Sequence, residues 1–219
     1  AHASELLPAH PLRRDIIATQ LVNRLVNRMG TTFVLQLGDE TGASAAQVAG
    51  AWYAASSVLD AETLWHEIES LDLVVDATRQ LAWMTGLRAM LAAATPLVLT
   101  QHLRGTRLAQ LMTEYGSAVA TTIDRIRQGR SGAVAITALI DERAAIVAAF
   151  ERVNLARACG YPLDDVTRAL AVLEGQIDLD WLAAAVSRLP AGNRWQARAR
   201  AQLGGELASL RQHLLRQVL

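Results

Sequence analysis

The sequence contains no lysine. All 21 basic residues are arginine, and 21 acidic residues bring the formal charge to zero. That absence excludes Schiff-base chemistry, a phosphate-loop lysine and a lysine general acid or base. Cysteine is nearly absent too. Cys159 stands alone, which rules out an internal disulfide framework and suits a reducing cytosol, so the expected compartment is the cytoplasm. No apolar run approaches the roughly 18 uninterrupted residues that cross a bilayer, so no membrane partner is expected. The start lacks a basic region followed by an apolar one, so no secretory signal is read there. Residue 1 is Ala, as expected if the initiator Met has been removed or the segment was cut from something longer. No GxGxxG, no GxxxxGK followed by Ser or Thr, no GxSxG and no HExxH occurs.

What is present is helical patterning. Of 219 residues 52% are hydrophobic, enough for one large core or two small ones. In PLRRDIIATQLVNRLVNRMG, Ile17, Ala18, Leu21, Val22, Leu25, Val26 and Met29 share one half of a helix. Pro11 fits the first helical position and Gly30 the stop. Leu12 and Ile16 break the pattern, lying on the polar side with Asn23, where a second neighbour is expected. TTFVLQL, Thr31 to Leu37, fits a short helix or a strand; helix is favoured because nothing nearby offers a strand to pair with. Ser44 with Gln47 makes a capping box. The helix it opens runs to about Leu59, and Asp60 is the next N-cap, before a stripe of Leu64, Trp65, Ile68 and Leu71. A helix from about Asp76 to Ala94 carries Leu81, Met84, Leu87 and Leu91 on one face, and Pro96 is expected to end or kink it.

Thr106 to Gln128 is the most regular stretch, a helix roughly 34 Å long. Gly129 to Gly132 is the clearest break, dividing 1–128 from 129–219 as two helical halves packed as one domain. An apolar helix from about Ala133 towards Cys159, interrupted near Asp141, precedes helices over Pro162–Gly175, Asp178–Leu189 and Arg194–Val218. Gly204 and Gly205 predict a kink in the last. The expected fold class is all-α, a multi-helix bundle of helix hairpins. At an offset of 118 residues Leu37, Gly42, Val48, Ala51, Asp60, Leu64 and Leu71 meet Leu155, Gly160, Val166, Ala169, Asp178, Leu182 and Leu189. After a two-residue deletion Gln80, Leu87 and Leu91 meet Gln196, Leu203 and Leu207. An internal duplication would give this, and so would any two amphipathic helix hairpins.

Candidate chemistry is thin. Glu62, His66 and Glu69 share a helical face at metal-ligand spacing, though such a triad is more often a solvated salt-bridged face. Cys159 sits at an expected helix C-terminus, the wrong end for lowering a thiol pKa. Glu40 to Ser56 has the outline of a helix-turn-helix, but Ser44 to Val58 contains no Arg to meet phosphates, so no nucleic-acid partner is expected. Arg194, Arg198 and Arg200 with Trp195, and Arg104 with Arg107, could grip an anionic ligand or nucleic acid; salt bridges are the commoner use. No catalytic, cofactor-binding or metal residue is assigned.

Two blocks carry a family resemblance. HPLRRDIIATQLVNRLVNRMGTTFV, ETGAS, AWYAASSV and LWHEIESLD lie near the front. LDWLAAAVSRLPAGNRWQARARAQL lies near the back, and its LPAGNRWQ run, Leu189 to Gln196, is the most specific part. Together they resemble the C-terminal region of the large bacterial NAD-specific glutamate dehydrogenases. The resemblance implies a parent enzyme that oxidatively deaminates L-glutamate to 2-oxoglutarate and ammonia with NAD. Its dinucleotide site and catalytic lysine would lie upstream, and none of those residues maps onto this sequence. It further implies a non-catalytic helical domain that packs on the rest of the enzyme chain, joins subunits or relays regulation. The rival reading is a stand-alone helical regulator or adaptor that binds a small ligand or a protein.

Overall fold

The computed structural model describes residues 10–190 and 192–219; the expectation for the first nine residues, the tail of a preceding element, lies outside them. Among the described residues there are eleven helices and no strand. They are α1 (Arg13–Met29), α2 (Thr31–Thr41), α3 (Ala45–Val58), α4 (Ala61–Ser70), α5 (Ala77–Leu103) and α6 (Leu108–Arg127), followed by α7 (Gly132–Asp141), α8 (Arg143–Cys159), α9 (Leu163–Glu174), α10 (Leu179–Ser187) and α11 (Arg194–Val218). The fold is all-α, as expected, and TTFVLQL is helical.

Four helices, α3, α5, α6 and α8, pack against one another as the centre. Small residues let α3 sit closest: Ala51, Ala54 and Ala55 are buried beside Val48 and Trp52. The large residues filling the interior include Trp52, Tyr115, Phe150, Leu87, Leu91 and Leu99. Each such side chain contributes about 1.5–3 kcal/mol on burial. This core runs from Leu25 to Val153 without a break at Gly129–Gly132, since Ile136, Leu139, Ile146 and Phe150 belong to it. A second, smaller core joins Leu155, Val166, Leu170 and Leu173 to Leu215 near the end of α11.

Local rules set several boundaries. The Ser44 hydroxyl accepts from the Gln47 N–H at 3.3 Å while Gln47 Oε1 accepts from the Ser44 N–H at 2.9 Å, closing the capping box. Gly42 and Gly160 both end helices in the left-handed region, with φ of 75° and 77°. Asp76 and Asn193 cap α5 and α11, accepting from the N–H of Arg79 and Gln196.

Other expectations need correction. Pro11 lies in a turn ahead of α1, which starts at Arg13, because the His10 ring accepts the Leu12 N–H and holds a turn there. Asp60 occupies the position before α4 but makes no side-chain cap; it is left-handed at φ 48° and its carboxylate accepts from Thr63 Oγ1 instead. Pro96 does not end its helix. The α5 helix continues to Leu103 because packing on several sides outweighs one missing hydrogen bond. Leu81 is exposed, and the buried face of α5 runs through Trp83, Leu87, Met90, Leu91, Ala94 and Val98. By length and composition α5 could cross a membrane; here it lies within the bundle, with Arg79 and Arg88 interrupting its apolar sequence. The α11 helix continues in span through Gly204 and Gly205.

The 118-residue offset has a structural counterpart. Leu37 and Leu155 are buried, Gly42 and Gly160 end α2 and α8 alike, and Val48 and Val166 are fully buried. The order α2–α3–α4–α5 is then matched by α8–α9–α10–α11. Coverage is what differs. Leu64, Leu87 and Leu91 are buried in the first set, whereas Leu182 and Leu207 are only half-buried and Leu203 is exposed in the second.

Candidate functional site

Glu62, His66 and Glu69, whose spacing reads more often as a solvated salt-bridged face than as a metal site, lie on α4. Glu69 Oε1 accepts from Arg28 Nη1 at 2.6 Å, and the same guanidinium lies 4.7 Å from the Trp65 ring. Glu62 and His66 stay exposed, and no group of three potential ligands comes together among the described residues. Cys159 is half-buried against the small core, one residue before the Gly160 cap. Arg104 and Arg107 flank the α5–α6 turn and are exposed. The helix opened by ETGAS is the most enclosed in the bundle, with Val48, Ala51, Trp52 and Ala55 among its buried residues.

Arginine forks tie the helices together instead. Arg127 meets Glu67 at 2.9 Å, Arg211 meets Glu151 at 3.1 Å, and Arg157 pairs with Glu114 while donating to Thr106 Oγ1 at 2.9 Å. Arg88 Nη2 donates to the Met29 carbonyl at 3.0 Å, closing the end of α1. Fork geometry lets one side chain serve two acceptors, as a lysine would do less well.

The best-formed polar site is internal. Tyr115 on α6 donates to Asn154 Oδ1 on α8 at 2.5 Å, and Asn154 Nδ2 donates to the Leu97 carbonyl on α5 at 3.2 Å. Burial pushes the Tyr115 phenol well above its ordinary pKa, against smaller opposing effects of Arg157 and of the Asn154 hydrogen bond. The ring lies 5.0 Å from Phe150. Sequence reading missed this link; its one signal is an Asn between Val153 and Leu155 in an apolar helix.

A groove of roughly 390 Å³ separates α1 from α3 and is floored by Leu21 and Trp52. Arg24 and Glu62 also line it. Nearby, Leu12 is exposed and Ile16 half-buried, so the patch inferred on α1 is largely open among the described residues.

Two further surfaces expose apolar side chains, and beside the first of them Arg127, Arg28 and Arg79 pair with Glu67, Glu69 and Asp76. The α4–α5 turn lifts Leu73 to 97% exposure, with Val74 exposed beside it. Leu73 is left-handed, φ 63°, an uncommon conformation for a bulky side chain. From Asp60 to Asp76 the chain has six acidic residues and no Arg. The α10–α11 hairpin is the opposite. Trp181 and Trp195 are 62% and 76% exposed, and Trp181 to Gly205 contains four Arg and no carboxylate. Arg200 approaches Glu40 at 3.6 Å, whereas Arg194 and Arg198 are exposed beside Trp195.

Comparison with known proteins places the chain in a family. The family model described as glutamate dehydrogenase, C-terminal, matches residues 3–134 and 133–219. The NAD-specific glutamate dehydrogenase of Halomonas elongata is 31% identical over 210 residues, and that of Pseudomonas aeruginosa 30% over 209. In both cases the match covers 87% of this chain and 13% of the relative. The chain thus spans about an eighth of those enzymes' length, and it belongs to the glutamate dehydrogenase C-terminal family.

Proposed function

We propose that this chain is a non-catalytic helical part of a large NAD-specific glutamate dehydrogenase, an enzyme that oxidatively deaminates L-glutamate to 2-oxoglutarate and ammonia with NAD. Its work is to pack on the catalytic part, to hold subunits together or to relay regulation. It provides no catalytic residue and no NAD or metal site. The two halves, 1–128 and 129–219, act as one packed unit. Its partners are the rest of the enzyme chain and other subunits, in the cytoplasm, with no role for nucleic acid or membrane.

The observation that carries this reading is the lysine-free sequence of a stretch matching only 13% of its relatives. Without lysine, no amine can polarise the substrate or form an imine within it. The test is calorimetric titration of the 219-residue chain with NAD, beside an assay for glutamate-dependent NADH formation. Neither saturable micromolar binding nor turnover is expected; either result would overturn the reading.

A further inference from the structure

Two stripes line the groove between α1 and α3. Ile17, Leu21 and Arg24 recur at helical spacing along α1, while Trp52, Ser56 and Asp60 stand four apart along α3 and just past its end. The volume of roughly 390 Å³ lies near the lower end of the about 300–1,000 Å³ typical of small-molecule sites. The lining joins an apolar bed to charges of both signs. We propose that this groove binds a small zwitterion, a free α-amino acid with an apolar side chain, through Arg24 from α1 and through Asp60 and Glu62 from the α3–α4 junction. The ligand goes beyond the packing and assembly role given above and does not depend on it.

Polar groups left unmet in the groove point to a ligand. Ser56 is only 6% exposed, and its hydroxyl has no hydrogen-bond partner among the described residues. Other helical hydroxyls, those of Thr95, Thr122 and Ser209, bond back to the carbonyl four residues earlier. The indole N–H of Trp52, a second buried lining residue, is also without a partner. Arg24 and Glu62 take part in no ion pair or hydrogen bond among the described residues. Arg28, one turn further along α1, holds Glu69, and Arg127 holds Glu67. The charges in the groove are therefore free where those beside it are paired. Asp60 stands at the N-cap position of α4 without capping it, and Thr63 Oγ1 donates to one of its oxygens at 2.9 Å.

A free amino acid answers each of these groups. Its carboxylate is the planar partner that a guanidinium fork takes by two hydrogen bonds, which Arg24 supplies. Its ammonium only donates, and the carboxylates of Asp60 and Glu62 only accept. The Ser56 hydroxyl does both and can serve either end. The side chain of the ligand rests on Leu21 and Trp52, with Ile17 beside them. A ligand of one charge is disfavoured, because an anion would meet two carboxylates and a cation would meet the guanidinium.

The test is calorimetric titration of the 219-residue chain with L-leucine and with L-phenylalanine. At least one should saturate with a Kd of about 1 mM or below. Isocaproate and isopentylamine keep the apolar body of leucine and lose one charge each; both should bind about tenfold more weakly or worse. Arg24→Gln and Glu62→Gln should each weaken amino-acid binding about tenfold or more. Both side chains are exposed, so helical circular dichroism and melting temperature should stay as they are. Ser56→Ala should weaken binding too, whereas Arg14→Gln, on α1 outside the groove, should not. Three results would each overturn the proposal: no saturable binding of either amino acid, isocaproate binding as tightly as L-leucine, or affinity unchanged in both Arg24→Gln and Glu62→Gln. None of them measures NAD binding or glutamate turnover, so the non-catalytic reading is judged by its own titration.

Discussion

Tyr115 and Asn154, 39 positions apart, share a 2.5 Å hydrogen bond in the middle of the bundle, and Asn154 passes it on to the Leu97 carbonyl. One amide thereby joins α5, α6 and α8. Replacing Asn154 with Leu should cost about 1–3 kcal/mol in urea unfolding, because the Tyr115 hydroxyl is left without that acceptor. Adding Tyr115→Phe should recover part of the loss. Strictly additive costs in the double mutant would show that the two side chains are not coupled.

Alkaline pH should act through the same tyrosine. Burial raises the Tyr115 pKa above its ordinary 10.0, so the folded state holds this proton more tightly than the unfolded chain. The associated stability is fully present below about pH 10 and declines as pH rises through and beyond that value. Melting temperature above pH 10 should fall less steeply in Tyr115→Phe than in the parent chain. Parallel declines would remove the assignment.

Glycines in two helices should respond in opposite directions. A Cβ at Gly86 would stand 2.4 Å from Ile140 Cγ2, where α5 and α7 approach each other. Gly86→Ala should therefore destabilise by about 1–3 kcal/mol despite its better helix propensity, and Ile140→Ala should restore part of it. At Gly204 and Gly205 nothing stands within 4 Å. Alanine there should stabilise by about 0.5–1 kcal/mol at each position. Thermal denaturation of the single variants distinguishes the cases, and a stabilising Gly86→Ala would contradict the close packing.

The capping box of α3 should be worth about 1 kcal/mol. Ser44→Ala removes the acceptor for the Gln47 N–H, and Gln47→Ala removes the reciprocal acceptor for the Ser44 N–H. Because α3 is the most enclosed helix, the loss should appear in global unfolding. No change in denaturation midpoint for either variant would show that solvent replaces the cap at no cost.

The features legible in the sequence were those governed by neighbours a few residues away. Ser44 with Gln47, Gly42 and Gly160 declare helix ends through local backbone needs, and the structure has them there. As a helix end Pro96 misled, because its local cost is set against packing along a long helix, which no window of residues contains. Leu81 misled because α5 is apolar around most of its circumference, so the phase of its buried face cannot be read from spacing. The Asn154–Tyr115 bond joins residues distant in sequence and was invisible for that reason. NRWQARAR was recognisable as a charged aromatic cluster. Pattern alone did not show that Trp195 would be left outside, or that Arg200 would face Glu40.

One feature of α8 governs how the chain comes apart. Val153 closes the large core and Leu155 opens the small one, so a single helix belongs to both. The first turns of α11 belong to neither, since Leu215 is the residue of that helix at the small core's centre. Amide protons therefore face a graded barrier to exchange with solvent. Those at the start of α11 are released once it parts from α10 and α2, those of α9 by opening of the small core, and those in the middle of α8 only when the whole bundle opens.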